Sequence, residues 1–220
     1  MAKTTLTRPL LVLLYGYPGV GKTHFARQLT EVVHAAHVQG DKMRSELFEQ
    51  PRFDKQENAV VNHLMEYMTE EFLQAGISVV YDTNAMRLAD RRALRDMARK
   101  AKAECLLIWL QIDLDSAMQR LNQRDRRKSD DRYAVSYDRK GLEDFIRAMQ
   151  NPTEAEDYMV ISGKHTFGTQ KGAVMKKLYE MGLLRFDSVT TGVVKPGMVN
   201  LVPNPTGGRV DMSRRNIMIR

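Results

Sequence analysis

The sequence has little cysteine and no long hydrophobic run. Cys105 is the only cysteine among 220 residues, which excludes an internal disulfide and any zinc site built from several cysteines. A lone cysteine also favours a reducing compartment, so we expect a cytoplasmic protein. Apolar runs such as residues 9–14 are much shorter than the roughly 20 residues of a membrane-spanning helix. We therefore expect no membrane partner.

What is present is typical of a soluble globular protein. Apolar residues make up 43% of the chain and charged residues 28%, and 220 residues are enough for one hydrophobic core. Residues 186–220 differ, because they contain three prolines and four glycines and show no helical periodicity. We expect one domain over residues 1–185 and an irregular or β-structured C-terminal extension over residues 186–220.

Positive charge is concentrated in three segments. The formal net charge is +7, of which residues 87–102 contribute +5, residues 120–140 +4 and residues 209–220 +3, so the remainder is negative. Localised positive charge indicates an anionic partner, such as a nucleotide, a nucleic acid or a phosphorylated metabolite. Solvated helix faces would give the same pattern, and the charge alone does not decide between the two interpretations.

Short apolar runs alternate with helical patterns along the chain. Strands are predicted at residues 10–15, 36–39, 77–81, 105–112 and 158–162. Helices are predicted to begin near Lys22 and to cover residues 54–75, 88–103, 115–123, 140–150 and 169–181. This alternation predicts an α/β fold, with a parallel sheet of about five strands and helices on both faces.

A phosphate-binding loop lies between the first strand and the first helix. Residues 16–23, GYPGVGKT, match the pattern G-x-x-x-x-G-K-[ST] at every defined position. The glycines let the backbone wrap around a phosphate, and the helix adds the positive end of its dipole. Lys22 would reach the β- and γ-phosphates, and Thr23 would bind Mg²⁺. We expect ATP and Mg²⁺ as cofactors, with nucleotide contacts at Gly16, Pro18, Gly19, Val20, Gly21, Lys22 and Thr23.

This loop does not by itself determine a reaction, because motors, GTPases, transporters and kinases share it. The Asn-Lys-x-Asp motif by which GTPases recognise guanine is absent from the sequence. We also do not expect an oligomeric remodelling ATPase, since 220 residues leave little room for a separate helical lid domain. Of the protein classes that share this loop, we therefore consider a kinase and a nucleic-acid-binding ATPase.

Asp41 and Arg44 follow the second predicted strand, where ligands bind in open parallel sheets. In a kinase a carboxylate here would accept the proton of an acceptor hydroxyl, and an arginine one helical turn later would face the same way. That arginine could hold an anionic group on the acceptor. Asp41 could equally be the N-cap of a helix, and the residues alone leave both interpretations open.

Five segments together resemble a known kinase group. GYPGVGKTHFA, GDKMR, VVYDTNAMRLADRR, RLNQR and QNPTEAEDYMVISG are similar, in order and spacing, to phage-type 5′-polynucleotide kinases. They are equally similar to the wider group of small ATP-binding P-loop kinases, which includes zeta-toxin-like kinases. The resemblance covers about residues 10–182 and implies the three-layer P-loop sandwich of those enzymes.

The resemblance implies functions for residues around the acceptor. Asp41 would be the general base and Arg44 the contact to an acceptor phosphate. Asp82, in the Asp-Thr-Asn signature, would orient Mg²⁺-bound water, Lys22 or the acceptor, and Asn84 would line the acceptor site. The resemblance weakens after Asn84, where six residues precede Arg91 and Arg92, and it implies no function for that pair.

The resemblance also implies a lid over the nucleotide. Arg120 and Arg124, four residues apart on one helix face, would close over the triphosphate, where positive charge stabilises the transition state of phosphoryl transfer. A solvated basic helix end is the alternative interpretation. Gly163 and Lys164 stand where related kinases hold adenine, and a simple turn is equally compatible. The remaining basic residues of the lid segment could contact nucleic acid or only solvent: Arg126, Arg127 and Lys128.

We therefore expect an ATP-dependent kinase that transfers the γ-phosphate to a hydroxyl, foremost the 5′-hydroxyl of DNA or RNA. One alternative is a kinase for a small phosphorylated metabolite such as a nucleotide sugar. Another is a nucleic-acid-binding ATPase that transfers no phosphate. The sequence determines neither the acceptor nor the oligomeric state.

Overall fold

A computed structural model of the protein describes residues 3–83, 86–124, 133 and 135–184. Several predicted residues lie outside these ranges: Asn84, Arg126, Arg127, Lys128 and the C-terminal extension. Within the described part of the chain, no helix is long and apolar enough to cross a membrane.

Five parallel strands form one sheet, as the alternation of elements predicts. They are β1 (Leu10–Tyr15), β2 (Ala35–Gln39), β3 (Ser78–Asp82), β4 (Glu104–Gln111) and β5 (Tyr158–Ser162). The spatial order is β2-β3-β1-β4-β5, with β1 at the centre. All six β1 residues are buried, because helices cover both faces of a central parallel strand.

Seven helices connect or flank the strands over the described residues. They are α1 (Lys22–Val32), α2 (Gly40–Leu47), α3 (Lys55–Gln74), α4 (Leu88–Lys100), α5 (Leu114–Asn122), α6 (Arg139–Ala148) and α7 (Phe167–Glu180).

Strand β1 divides the hydrophobic core into two layers. Leu10, Val12 and Leu14 point into one cluster together with residues of α1 and α7. Leu11 and Leu13 point into the other, together with residues of α3 and α4. Successive side chains of a strand point to opposite faces, so a continuous apolar run feeds both layers. The predicted three-layer P-loop sandwich is confirmed.

The apolar spacing that predicts helix α3 runs through Val60, Leu64, Tyr67, Met68, Phe72 and Ala75, and the stripe that the helix buries is shifted from it. Asp54 caps it by accepting a hydrogen bond from the backbone N–H of Glu57, at 2.9 Å. The stripe that is buried is Glu57, Val61, Met65, Thr69 and Leu73. Val60 and Tyr67, which lie outside this stripe, remain 50% and 56% exposed. A buried carboxylate therefore takes a place that an apolar pattern would give to a hydrophobic side chain.

Arg91 accounts for part of the basic segment at residues 87–102. Its side chain is fully buried, and its guanidinium donates to both Glu156 carboxylate oxygens, at 2.7 and 2.8 Å. The hydrogen bonds from Arg91, acting against burial, hold the pKa of Glu156 below its ordinary value. Arg95 and Arg99 are also paired with carboxylates, whereas Arg92 is exposed. This segment therefore supports an anionic partner less strongly than its formal charge suggested.

Candidate active site

A cleft of about 940 Å³ opens where β1, β2 and β3 reach their carboxyl ends. One end is formed by the phosphate-binding loop and the other by α2 and the start of α3. We refer to these as the loop end and the α2 end. The predicted site residues that line the cleft are Pro18, Gly19, Val20, Gly21, Lys22, Thr23, Asp41, Arg44, Asp82, Arg120, Arg124, Gly163 and Lys164.

The loop end is shaped by backbone that only glycine fits. Gly16 and Gly19 have φ angles of 143° and 89°, which side-chain-bearing residues rarely adopt. A Cβ atom on Gly16 would lie 2.6 Å from the Leu110 carbonyl oxygen, and one on Gly19 would lie 2.8 Å from that of Ala117. Helix α1 begins at Lys22, within the last residues of the loop, with Gly21 as its N-cap. Its first-turn N–H groups are therefore available to an anion.

Lys22 folds back over the loop. Its Nζ donates to the carbonyl oxygens of Gly16 and Tyr17, at 2.7 and 3.2 Å. Burial lowers the pKa of Lys22 to about 8, although Asp82 and Asp41 act in the opposite direction. A bound triphosphate would supply the negative charge that favours the protonated ammonium group.

Asp82 is held in the middle of the cleft by two elements. It is buried at the end of β3, and its Oδ1 accepts a hydrogen bond from the Thr23 hydroxyl, at 3.4 Å. Its Oδ2 lies 2.9 Å from Nε2 of His37 on β2. Sequence reasoning missed His37, because only the pairing of β2 with β3 brings the two residues together.

The donors around Asp82 fit a magnesium ion. Thr23 and Asp82 place a hydroxyl and a carboxylate side by side, and Mg²⁺ prefers oxygen ligands. The described residues include no cluster of three or more His, Cys, Asp or Glu side chains that could enclose a metal. A cation here would therefore complete its shell with water and phosphate oxygens, as Mg²⁺ commonly does in nucleotide sites.

Asp41 lies in the first turn of α2 and does not cap that helix. The N-cap position is Gln39, whose side chain makes no capping hydrogen bond. This removes the interpretation of Asp41 as a helix cap. Loss of hydration inside the cleft raises the pKa of the Asp41 carboxyl and Asp82 raises it further, while Lys22, Arg44 and Arg124 oppose the shift. A raised pKa makes the carboxylate a better proton acceptor.

Arg44 faces the cleft but is already engaged. It is 9% exposed, and its guanidinium donates to Glu57 and to Asn58 at the start of α3, at 2.5 Å each. It also lies over the ring of Phe53, 4.7 Å from the ring centroid. An acceptor phosphate at Arg44 would therefore compete with Glu57.

Glu57 organises the α2 end, and sequence reasoning missed it. Besides Arg44, its carboxylate accepts from the backbone N–H groups of Arg52 and Phe53, at 2.7 and 3.2 Å. Burial alone would raise the pKa of Glu57, but these hydrogen bonds lower it. In the sequence Glu57 is an ordinary acidic residue in the first turn of a helix, so no local signal distinguished it.

The two predicted lid arginines bind backbone carbonyl groups around the loop end. Arg120 donates to Gly163 at 2.9 Å, and Arg124 donates to Val135 at 2.7 Å. The charge of Arg124 lowers the pKa values of both Lys22 and Asp41, so it acts on both ends of the cleft. A Cβ atom on Gly163 would lie 2.6 Å from the Val20 carbonyl oxygen, so the segment after β5 touches the phosphate-binding loop.

A glycine loop with a lysine, a hydroxyl and a strand-end carboxylate is typical of nucleotide-binding proteins, and the chain also matches a known family. Residues 11–152, more than half of the chain, match the model of a family described as AAA domain. The chain belongs to the AAA domain family. No curated protein matches the sequence.

The fold of this AAA domain chain is also found in solved structures of P-loop proteins. Kti12 from Chaetomium thermophilum, in complex with ADP-AlF3, has 15% identity and a TM-score of 0.58, over 77% of this chain and 97% of that one. A gluconokinase from Sinorhizobium meliloti has 14% identity and a TM-score of 0.55, over 79% and 97%. The APS kinase of Mycobacterium tuberculosis, with AMPPNP and APS, has 18% identity and a TM-score of 0.56, over 78% and 98%. The AAA domain chain therefore has a kinase-like P-loop fold.

Proposed function

We propose that this protein is an ATP-dependent phosphotransferase that moves the γ-phosphate of ATP to a hydroxyl group. The observation that carries the proposal is the position of Asp41. A carboxylate with a raised pKa, which does not cap its helix, lines the same cleft as Lys22 of the phosphate-binding loop. At the α2 end of the cleft this carboxylate can serve as the base that accepts the proton of an acceptor hydroxyl.

In the proposed reaction the acceptor hydroxyl donates its proton to an Asp41 carboxylate oxygen as its oxygen attacks the γ-phosphorus. A new bond forms between that oxygen and phosphorus, and the bond from phosphorus to the β–γ bridging oxygen breaks, so ADP leaves with the electron pair. Lys22 and Arg124 offset the negative charge on the phosphoryl and bridging oxygens.

Thr23 and Asp82 would hold the magnesium ion, which offsets the charge of the β- and γ-phosphates when bound. Asp82 would orient it through the oxygen that faces Thr23, while the other oxygen is occupied by His37. Gly163, in contact with the loop and with Arg120, would border the adenine.

The acceptor we propose is the 5′-hydroxyl of DNA or RNA. This choice is supported by the five resemblance segments and by the placement of Asp41, Arg44 and Asp82 in one cleft. A metabolite kinase is the second candidate. It is favoured by the engagement of Arg44 with Glu57, which leaves less positive charge for a polyanion. Two fold neighbours, a gluconokinase and an APS kinase, point the same way by their names.

The test is a transfer assay with labelled ATP and Mg²⁺. The full chain is incubated separately with 5′-hydroxyl DNA, 5′-hydroxyl RNA and a panel of hydroxylated metabolites, and the products are separated. We expect label on an oligonucleotide in the wild type, and transfer slower by about 10²- to 10⁴-fold with Asp41→Asn. Label only on a metabolite would establish the second candidate. Free phosphate alone, at equal rates with and without every acceptor, would show an ATPase and overturn the proposal.

A further inference from the structure

Phe53, at the α2 end, has an uncommon backbone conformation. Its φ angle is 58°, and Phe53 and Lys102 are the two non-glycine residues with positive φ in the described ranges. Glu57 holds this backbone by accepting hydrogen bonds from the N–H groups of Arg52 and Phe53. Residues in disfavoured backbone regions persist where the surrounding structure imposes them, and such positions cluster at functional sites.

The ring of Phe53 is exposed, although it is a large apolar side chain. The residue is 45% exposed, and its ring lines the cleft that also contains Asp41. The Arg44 guanidinium covers the ring at 4.7 Å, and Arg44 is in turn fixed by Glu57 and Asn58. The ring is therefore fixed in position by its neighbours, and part of its surface is accessible to a ligand.

The chemistry of this surface favours a flat and uncharged group. A phenyl ring offers no hydrogen bond, and the charge of Arg44 over it is balanced by the carboxylate of Glu57. Aromatic side chains bind nucleobases by stacking, whichever base is present, because every base has a π face. Asp41 lies one turn before Arg44 on α2, so a group on the ring would be close to the hydroxyl that Asp41 deprotonates.

We propose that Phe53 is a stacking platform for the nucleobase of the acceptor, held in place by Glu57 through Arg44 and through its own backbone. This inference rests on the proposed polynucleotide kinase activity and adds to it a recognition element for the terminal base. The acceptor would be bound by its base as well as by its backbone, so its terminal nucleotide would need to be intact.

The test compares two 5′-hydroxyl oligonucleotides that differ only in the terminal residue, which either carries a base or is abasic. The wild type should have a KM about tenfold lower for the base-bearing oligonucleotide, the size expected of one stacked base. Phe53→Leu should remove this preference by raising that KM about tenfold, with kcat and the abasic KM unchanged. Phe53→Tyr should behave as the wild type.

Two further variants separate stacking from folding. Phe53→Asn should lose the preference as completely as Phe53→Leu, because asparagine accepts positive φ and so removes the ring without straining the backbone. Tyr67→Leu removes another exposed aromatic ring, on α3 and outside the cleft lining, and should change neither KM. The Kd for ATP should be the same in all these proteins.

Equal KM values for both oligonucleotides in the wild type would overturn the platform and leave the kinase proposal standing. If no oligonucleotide accepts phosphate, the proposed acceptor class fails. Equilibrium binding of adenosine to the complex with a non-hydrolysable ATP analogue then decides the platform. If the wild type binds adenosine and Phe53→Leu weakens this binding about tenfold, the platform is supported. If adenosine does not bind, or binds Phe53→Leu equally well, the platform is overturned.

Discussion

The two ends of the cleft are built in different ways. At the loop end one continuous segment, residues 16–23, provides the shape through its backbone, and tight contacts at Gly16 and Gly19 exclude side chains. At the α2 end the shape comes from side chains that meet across elements, as Arg44 does with Glu57. Substitutions at the α2 end should therefore change what is bound without preventing nucleotide binding.

Substitutions of Asp41 and Lys22 should show the largest difference between the two ends in their effects on kcat and on ATP binding. Asp41→Asn removes the proposed base but keeps the side-chain size, so we expect kcat to fall by about 10²- to 10⁴-fold with the Kd for ATP nearly unchanged. Lys22→Ala should abolish transfer and also weaken ATP binding. Single-turnover kinetics and equilibrium nucleotide binding measure the two quantities separately. Near-native turnover in Asp41→Asn would refute the proposed mechanism.

Arg124 connects the ends, because its charge acts on both Lys22 and Asp41. Arg124→Ala should lower kcat about 10²-fold, as loss of one charge-stabilising donor commonly does, with a smaller effect on KM for either substrate. Steady-state kinetics over both substrates provide the measurement. A change confined to the KM of the acceptor would argue against a lid that acts on the transferred phosphoryl group.

Glu57 and Glu156 both form buried pairs with arginine, but only the pair at Glu57 borders the cleft. Removing one partner of a buried pair costs about 3–5 kcal/mol, and glutamine, which keeps an acceptor oxygen, should approach the lower figure. We expect chemical denaturation to show a similar loss for Glu57→Gln and Glu156→Gln. Only Glu57→Gln should alter the KM of the acceptor. An equal change of this KM in both variants would mean that the α2 end has no specific function in acceptor binding.

Replacing His37 should weaken only the nucleotide binding that depends on Mg²⁺. It fixes one oxygen of Asp82, so His37→Ala should weaken binding of ATP about tenfold in the presence of Mg²⁺, as loss of an outer-shell partner typically does. Binding in the presence of a chelator should be unchanged. His34→Ala, an exposed histidine three residues earlier, serves as the control. Equal weakening with and without Mg²⁺ would indicate a general structural defect.

The smallest expected effect is the dependence of the rate on pH. Asp41 accepts a proton only when ionised, and its raised pKa moves the loss of activity on acidification to higher pH than for an ordinary carboxyl. Lys22 acts when protonated, and with a pKa of about 8 in the free enzyme it loses charge above that value. The profile of kcat/KM should therefore be bell-shaped, and Asp41→Asn should flatten its acidic side.

The sequence predicted the fold more completely than it predicted the site. All five strands and the parallel sheet follow from apolar runs, since central strands such as β1 bury every residue. On α3 the predicted helix is present, but the buried stripe runs through Glu57 instead of through Val60 and Tyr67. Periodicity establishes that a helix has an apolar side, whereas the neighbouring elements select which residues are covered.

The site was predicted where its residues are adjacent in the chain. The phosphate-binding loop and Asp41 could be proposed from the sequence by their spacing relative to a strand end, and the structure places both in the lining of one cleft. His37 and Glu57 were missed, and Arg91 received no function although it is fully buried against Glu156. Each belongs to a pair separated by many residues, and a pair of common side chains leaves no local pattern.

The sequence by itself determined the alternation of strands and helices, the phosphate-binding loop and the position of Asp41 after β2. These features depend on the backbone of neighbouring residues and on the burial of short apolar runs, both of which are local. The tertiary structure decided which charges are neutralised and which remain available. Burial and partnership are set by the packing of β2 against β3, of α2 against α3 and of α4 against the segment before β5.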